Sequence, residues 1–196
     1  MKKGHLYTLG FMVVLTAALI FILAAAYEGF KPSIASNAQL RNERAVLYVF
    51  DLEKDLTDQQ VRDTFGQVIE ETAIQGVEGY AYKQDGAVQG YALPFEGAAL
   101  WGSISGYLGV NADMTETTGL VFTKQSETPG LGGRIDELVY REQFRGLPIV
   151  KGQPLAYGSH DGYTIDAITG ATQTSTAVLK TLNTMMDAVI FQEGVQ

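Results

Sequence analysis

Residues 6–26 form an unbroken run of 21 residues without a charged side chain. Coiled as an α-helix at about 1.5 Å per residue, this run is roughly 31 Å long. A bilayer's hydrocarbon core is about 30 Å thick, so the run predicts a transmembrane helix over residues 6–27. A cleavable signal peptide is the rival reading, because Ala24, Ala25 and Ala26 offer small residues to a peptidase. Signal cores, however, are only about 7 to 15 residues long. Lys2 and Lys3 precede the run and Glu28 follows it after Tyr27, a charge step that favours a cytoplasmic N-terminus. Those two lysines belong to the 14 basic residues of the chain, so the remaining residues carry 12 basic against 22 acidic side chains. The expected order is a cytoplasmic segment at 1–5, the span at 6–27, a juxtamembrane linker at 28–35 around Gly29 and Pro32, and one exported domain over 36–196.

Composition narrows the chemistry open to that domain. Cysteine is absent and histidine occurs only at positions 5 and 160. Thiolate iron–sulfur clusters, zinc ribbons, disulfides and His-rich metal sites are thereby excluded, and redox chemistry requires an organic cofactor. A formal net charge of -8 argues against nucleic acid as a partner, since phosphate binding needs a basic face.

Beyond the linker, Ser36 or Asn37 is the expected cap of a helix reaching about residue 50, and Thr57 caps a second with Val61, Phe65, Val68 and Ile69 at helical spacing. From Glu78 the pattern turns to strands. A hairpin is expected over 79–93 about an Asp85-Gly86 turn, closed by Pro94, followed by strands near 103–110 and 118–123. A loop comes next with Glu127-Thr128-Pro129-Gly130-Leu131-Gly132-Gly133, too rich in glycine and proline for a helix. Residues 135–144 suggest a short helix and 147–150 an extended piece. The spacing of Val178, Leu179, Leu182, Met185, Met186, Val189 and Ile190 predicts an amphipathic closing helix. Helices, then strands, then a helix suggest an α+β domain with an antiparallel sheet.

The most informative stretch is Asp166-Ala167-Ile168-Thr169-Gly170-Ala171-Thr172, immediately before that closing helix. A helix start presents N–H groups without intrahelical partners and the positive end of the dipole, which together favour a phosphate. On the residues alone, Thr169 or Thr172 acting simply as a helix cap is the favoured reading. Thr174, Ser175 and Thr176 carry hydroxyls as well. Ser159-His160-Asp161 contains the residue types of a catalytic triad, yet adjacent residues cannot reach one another in the required geometry, and a polar turn is expected there.

The Asp-x-x-Thr-Gly-Ala-Thr stretch resembles the flavinylation signature of the FMN-binding domain family, which includes the G subunit of the Rnf electron-transport complex and the C subunit of the Na+-translocating NADH:quinone reductase. Gly97-Ala98-Ala99-Leu100-Trp101, the Glu127 to Gly132 run and the single N-terminal anchor are similar too. The resemblance implies one transmembrane helix followed by an exported FMN-binding domain, with FMN joined through its phosphate to Thr172 by a flavin transferase that uses FAD as donor. Thr169, Gly170 and Ala171 would then hold the phosphate, and Asp166 would fix the turn or be read by the transferase. Trp101 and Leu131 would lie against the isoalloxazine, unless Trp101 is a core residue. Glu127 and Thr128 would meet the ring's polar edge, with Gly130 and Gly132 allowing close backbone approach. The implied role is an electron-transfer subunit, not catalytic alone, whose partners are the other membrane subunits of an Rnf-type or Na+-NQR-type complex. A stand-alone membrane-anchored FMN protein is the alternative.

Overall fold

A computed structural model describes residues 2–160 and 162–191. The chain divides into two compact units, Met1–Gln39 and Leu40–Gln196. The first is the greater part of helix α1 (Lys2–Tyr48). Its apolar side chains, from Leu6 through Leu23, are exposed, and the helix is long and apolar enough to cross a membrane.

Residues 28–35 correct an expectation, because they are helical rather than a linker, and Ser36 and Asn37 lie inside α1 instead of capping a new helix. A proline inside a helix removes one N–H and crowds the carbonyl four residues earlier. That carbonyl belongs to Glu28, in a fully exposed stretch where solvent can replace the lost donor.

In the second unit, α2 (Asp58–Val68) begins at the expected cap. The Thr57 hydroxyl accepts from the Gln60 N–H while the Gln60 side chain returns to the Thr57 N–H, a reciprocal capping box. Five antiparallel strands come next in strict chain order: β1 (Ile69–Ile74), β2 (Val77–Gln84), β3 (Ala87–Ala98), β4 (Ser103–Asn111) and β5 (Thr117–Lys124). The first two hairpins turn on Gln75-Gly76 and Asp85-Gly86, all four residues at positive φ, the geometry that matches strand twist. β1 was not expected. Pro94 does not close β3, which runs four residues further; the ladder to β2 ends at Ala92, before the proline, while pairing with β4 continues through Ala98.

Residues 132–144 are a succession of helical turns: a 3-10 turn (Gly132–Asp136), α3 (Leu138–Arg141) and a second 3-10 turn (Glu142–Phe144). A small hairpin of β6 (Gly158–His160) and β7 (Tyr163–Ile165) precedes α4 (Thr172–Val189). Ser159 and His160 thus lie on a strand rather than in a turn, whereas Asp161 lies outside the described residues.

Alternation along the strands feeds two cores. Leu93, Leu108 and Leu120 join Val178, Leu182 and Met186 of α4 on one face. Ala92 and Val121, one residue out of phase, meet Ala45 and Val46 of α1 and Val49 just past its end on the other. Added Cβ atoms at Gly109 and Gly119 would each lie about 3.0 Å from the Val49 carbonyl oxygen, so these glycines let the last turn of α1 sit directly on the sheet.

Arg145 fastens that last turn. Its guanidinium donates to the carbonyls of Tyr48 at 2.9 Å and Val49 at 3.4 Å, to Thr118, and to Glu142 at 2.8 Å, supplying the cation that a helix C-terminus favours. Burial pushes the Glu142 carboxyl up, but hydrogen bonds from Tyr48 and Arg145 and the Arg145 charge outweigh it and hold it below its ordinary value. A carboxylate held low when folded adds stability that is complete above its unfolded value near pH 4.3, at about which glutamate titrates freely, and that is lost as pH falls through the lower folded value. The thermal midpoint of the wild type is therefore expected to exceed that of Glu142→Gln at neutral pH, by a margin that closes in acid. A margin independent of pH would show that the charge contributes nothing.

Candidate functional site

Helix α4 starts without a side-chain cap. Its N-cap is Ala171, whose own N–H is spent on the Ile168 carbonyl at 3.0 Å, and the first intrahelical bond comes from Ser175. Among the described residues the N–H groups of Thr172, Gln173 and Thr174 have no internal acceptor. Gly170, at φ +80°, turns the chain into the helix with a backbone that side-chain-bearing residues rarely adopt. The three free amides thus begin one residue after Ala171.

The hydroxyls around this helix start are sorted by burial. Thr174 and Ser175 are fully buried. Thr174 donates to Glu127 Oε2 at 2.6 Å, and Ser175 Oγ accepts the Ile168 N–H at 3.1 Å. Thr169, Thr172 and Thr176 are exposed, and only Thr172 sits at the first position of the helix, beside the free amides. Two phenols brace the same turn from behind. Tyr157 donates to the Ser175 carbonyl at 2.8 Å and pairs with Tyr140 at 2.6 Å, and burial pushes both above their ordinary value, so both stay neutral.

Two loops close on this turn. Glu127, 5% exposed, takes the Trp101 N–H on Oε1 at 2.8 Å and the Thr174 hydroxyl on Oε2. Its carboxylate points inward, with both oxygens met by these donors. The Thr128 carbonyl accepts from Leu131 at 3.1 Å and Gly133 at 2.9 Å, curling the loop through Gly130 at φ +74°. Leu131 then reaches toward Gly170, where an added Cβ would lie 3.4 Å from its side chain. Trp101 is not a core residue: it is 69% exposed, and Leu131 47%.

Trp101, Glu127, Leu131, Gly132, Gly170 and the first turn of α4 are therefore brought together. Asp166 stands apart. Its N–H donates to Gln143 Oε1 at 2.6 Å and its side chain faces solvent. Thr174 as the partner of Glu127 was missed by sequence reasoning, since nothing in a Thr-Gln-Thr-Ser-Thr run says which hydroxyl turns inward. The arrangement offers an exposed hydroxyl at the positive end of an 18-residue helix, three free amides for an anion, and an apolar lip for a flat group. A phosphate-bearing aromatic cofactor fits these residues.

Comparison with known proteins agrees with that chemistry: residues 100–187 match the model of the FMN-binding domain. Over 186 residues it is 29% identical to the G subunit of the ion-translocating oxidoreductase complex of Methanosarcina acetivorans, with 93% of each chain covered. It is 33% identical over 102 residues to the C subunit of the Na+-translocating NADH-quinone reductase of Neisseria meningitidis, covering 48% of this chain and 40% of that one. The chain thus spans nearly all of the first relative and two fifths of the second. The crystal structure of the reductase's C subunit from Parabacteroides distasonis superposes with a TM-score of 0.65 over 81% of this chain and 94% of that one at 22% identity. Shewanella oneidensis NqrC gives 0.66 over 74% and 91% at 19% identity. At such identities the likeness is one of fold, an α+β domain with an antiparallel sheet and flanking helices.

Proposed function

We propose that this chain is the FMN-carrying electron-transfer subunit of a membrane ion-translocating oxidoreductase complex of the Rnf or Na+-translocating quinone reductase type. The observation that carries the reading is the sorting of hydroxyls at the start of α4. Thr172 alone combines exposure with the uncapped amides, which is what an acceptor of a phosphate ester needs. The near end-to-end likeness to the Methanosarcina protein favours the Rnf type.

On this reading a flavin transferase moves FMN from FAD to Thr172. A new bond forms from Thr172 Oγ to the flavin phosphorus, the pyrophosphate linkage breaks, AMP leaves, and the hydroxyl proton is lost. Thr169 and the amides of Thr172, Gln173 and Thr174 hold the phosphate oxygens. Trp101 and Leu131 flank the ring, Thr128, Gly130 and Gly132 shape the loop that carries Leu131, and Asp166, exposed on the approach, is read by the transferase. Bound FMN supplies the capacity to accept and pass electrons; the other membrane subunits supply donor and acceptor. Fluorescence of the denatured chain on a gel, after expression with a flavin transferase, tests the assignment, since only covalent flavin survives denaturation. A dark band overturns it.

The charge step from Lys2 and Lys3 to the acidic remainder supports a cytoplasmic N-terminus with the FMN domain on the outer side of the cytoplasmic membrane. A reporter enzyme that works only outside the cytoplasm, fused behind the domain, is expected to be active. Activity from a cytoplasmic reporter at the same junction would reverse the orientation.

A further inference from the structure

We infer that Glu127 is the positioning residue of the flavin site: its carboxylate latches the Trp101 and Leu131 segments onto the first turn of α4 and so sets the surroundings of the ring from behind. This rests on the reading that FMN is attached at Thr172.

The carboxylate is almost wholly buried, and among the described residues it forms no ion pair with a lysine or arginine. A buried anion is costly unless each oxygen is met by a donor. Here each is: the Trp101 N–H at 2.8 Å on Oε1 and the Thr174 hydroxyl at 2.6 Å on Oε2. Both bonds are charge-assisted. They join three segments that lie 26 and 47 residues apart in the chain. An apolar contact would hold these segments as firmly, but it would not fix their register. Two oxygens aimed at two donors do fix it.

The neighbouring backbone is shaped around this latch. An added Cβ at Gly132 would fall 2.6 Å from Thr174 Oγ1 and 2.8 Å from Glu127 Oε2, so the loop rests directly on the hydrogen bond. Leu131, the residue before, is carried toward Gly170. Across the latch, the Ala99 N–H closes on the Gly102 carbonyl at 2.7 Å, and an added Cβ at Gly102 would lie 3.3 Å from Ser126. The turn that bears Trp101 is thus pressed against the segment that bears Glu127. The latch also occupies the Thr174 hydroxyl, leaving Thr172 as the one presented at the helix start.

The test uses the full-length chain flavinylated in cells, with emission and visible circular dichroism of the bound flavin measured well below the melting temperature and normalised to flavin content. An indole in contact with isoalloxazine quenches its emission, and Trp101 is the only tryptophan, so Trp101→Phe defines the signal of a lost wall. Glu127→Ala and Thr174→Val are expected to gain flavin emission and to shift the dichroism toward that of Trp101→Phe. Glu127→Gln is expected to return most of the wild-type signal, because an amide can accept from Trp101 and donate to the threonine oxygen. Thr174→Val keeps the side-chain shape and carries the test if Glu127→Ala does not fold. A clear effect of Trp101→Phe with none from Glu127→Ala or Thr174→Val overturns the latch. No effect of Trp101→Phe overturns the placement of the ring, and the latch with it.

Discussion

The Thr172→Ala chain is expected to fold as the wild type does and to run as a dark band on a fluorescent gel, with complete loss of covalent flavin. On the proposed attachment the loss follows because Thr172 is the exposed hydroxyl at the first position of α4, beside the free amides. Thr174 and Ser175 are sealed in the interior with their hydroxyls engaged, and Thr176 lies beyond the free amides. The fold survives because the Thr172 hydroxyl caps nothing: the N-cap is Ala171 and no side chain closes the helix. An exposed substitution of this kind costs within about 0.5 kcal/mol, so circular dichroism and the thermal midpoint should barely change. Thr176→Ala is the matched control and should label fully. Wild-type fluorescence in Thr172→Ala would show that another residue is the acceptor.

Gly106→Ala is expected to produce the largest loss of stability of any single methyl addition in the sheet. Gly106 lies mid-strand in β4, at a register shift against β5. A Cβ there would collide with the Val121 carbonyl oxygen and come within 2.9 Å of both the Phe122 Cα and the Phe95 ring. Two of those three neighbours are backbone, so no rotamer change relieves the clash and the ladder itself must move. Overpacking of this kind costs about 3 kcal/mol, a fall of roughly 6–12 °C in midpoint for a domain of this size. A thermal melt of the variant within a degree or two of wild type would mean that the sheet yields more easily than its packing implies.

What could be read ahead of the structure divides along the range of the interactions involved. Thr57 and Gln60 cap α2 through contacts three residues apart, and Asp85-Gly86 sets a hairpin through its own backbone; both are local and both were legible. The apolar spacing from Val178 to Val189 announced α4 for the same reason. β1 was missed because Ile69-Glu70-Glu71-Thr72-Ala73-Ile74 lacks alternation, and only its pairing with β2 makes it a strand. Pro94 looked like a terminator because its neighbour across the sheet was unknown. Residues 28–35 looked like a linker because proline and glycine are poor helix formers, yet the helix on either side carries through them. At the site, the helix start at Thr172 was legible in the run from Asp166, because Gly170 and the apolar spacing beyond it are local signals. The inward turn of Glu127 was not, since its second partner is 47 residues away.

The up-and-down order of the five strands bears on how the domain assembles. Each strand pairs with its chain neighbour, so the sheet forms by closing short loops one after another, each at small entropic cost. Joining Trp101 and Thr174 through Glu127 instead requires distant stretches of chain to have arrived already. The Glu127 junction therefore completes after its scaffold, and Thr172 stands in its finished setting only in a chain whose folding has reached the end.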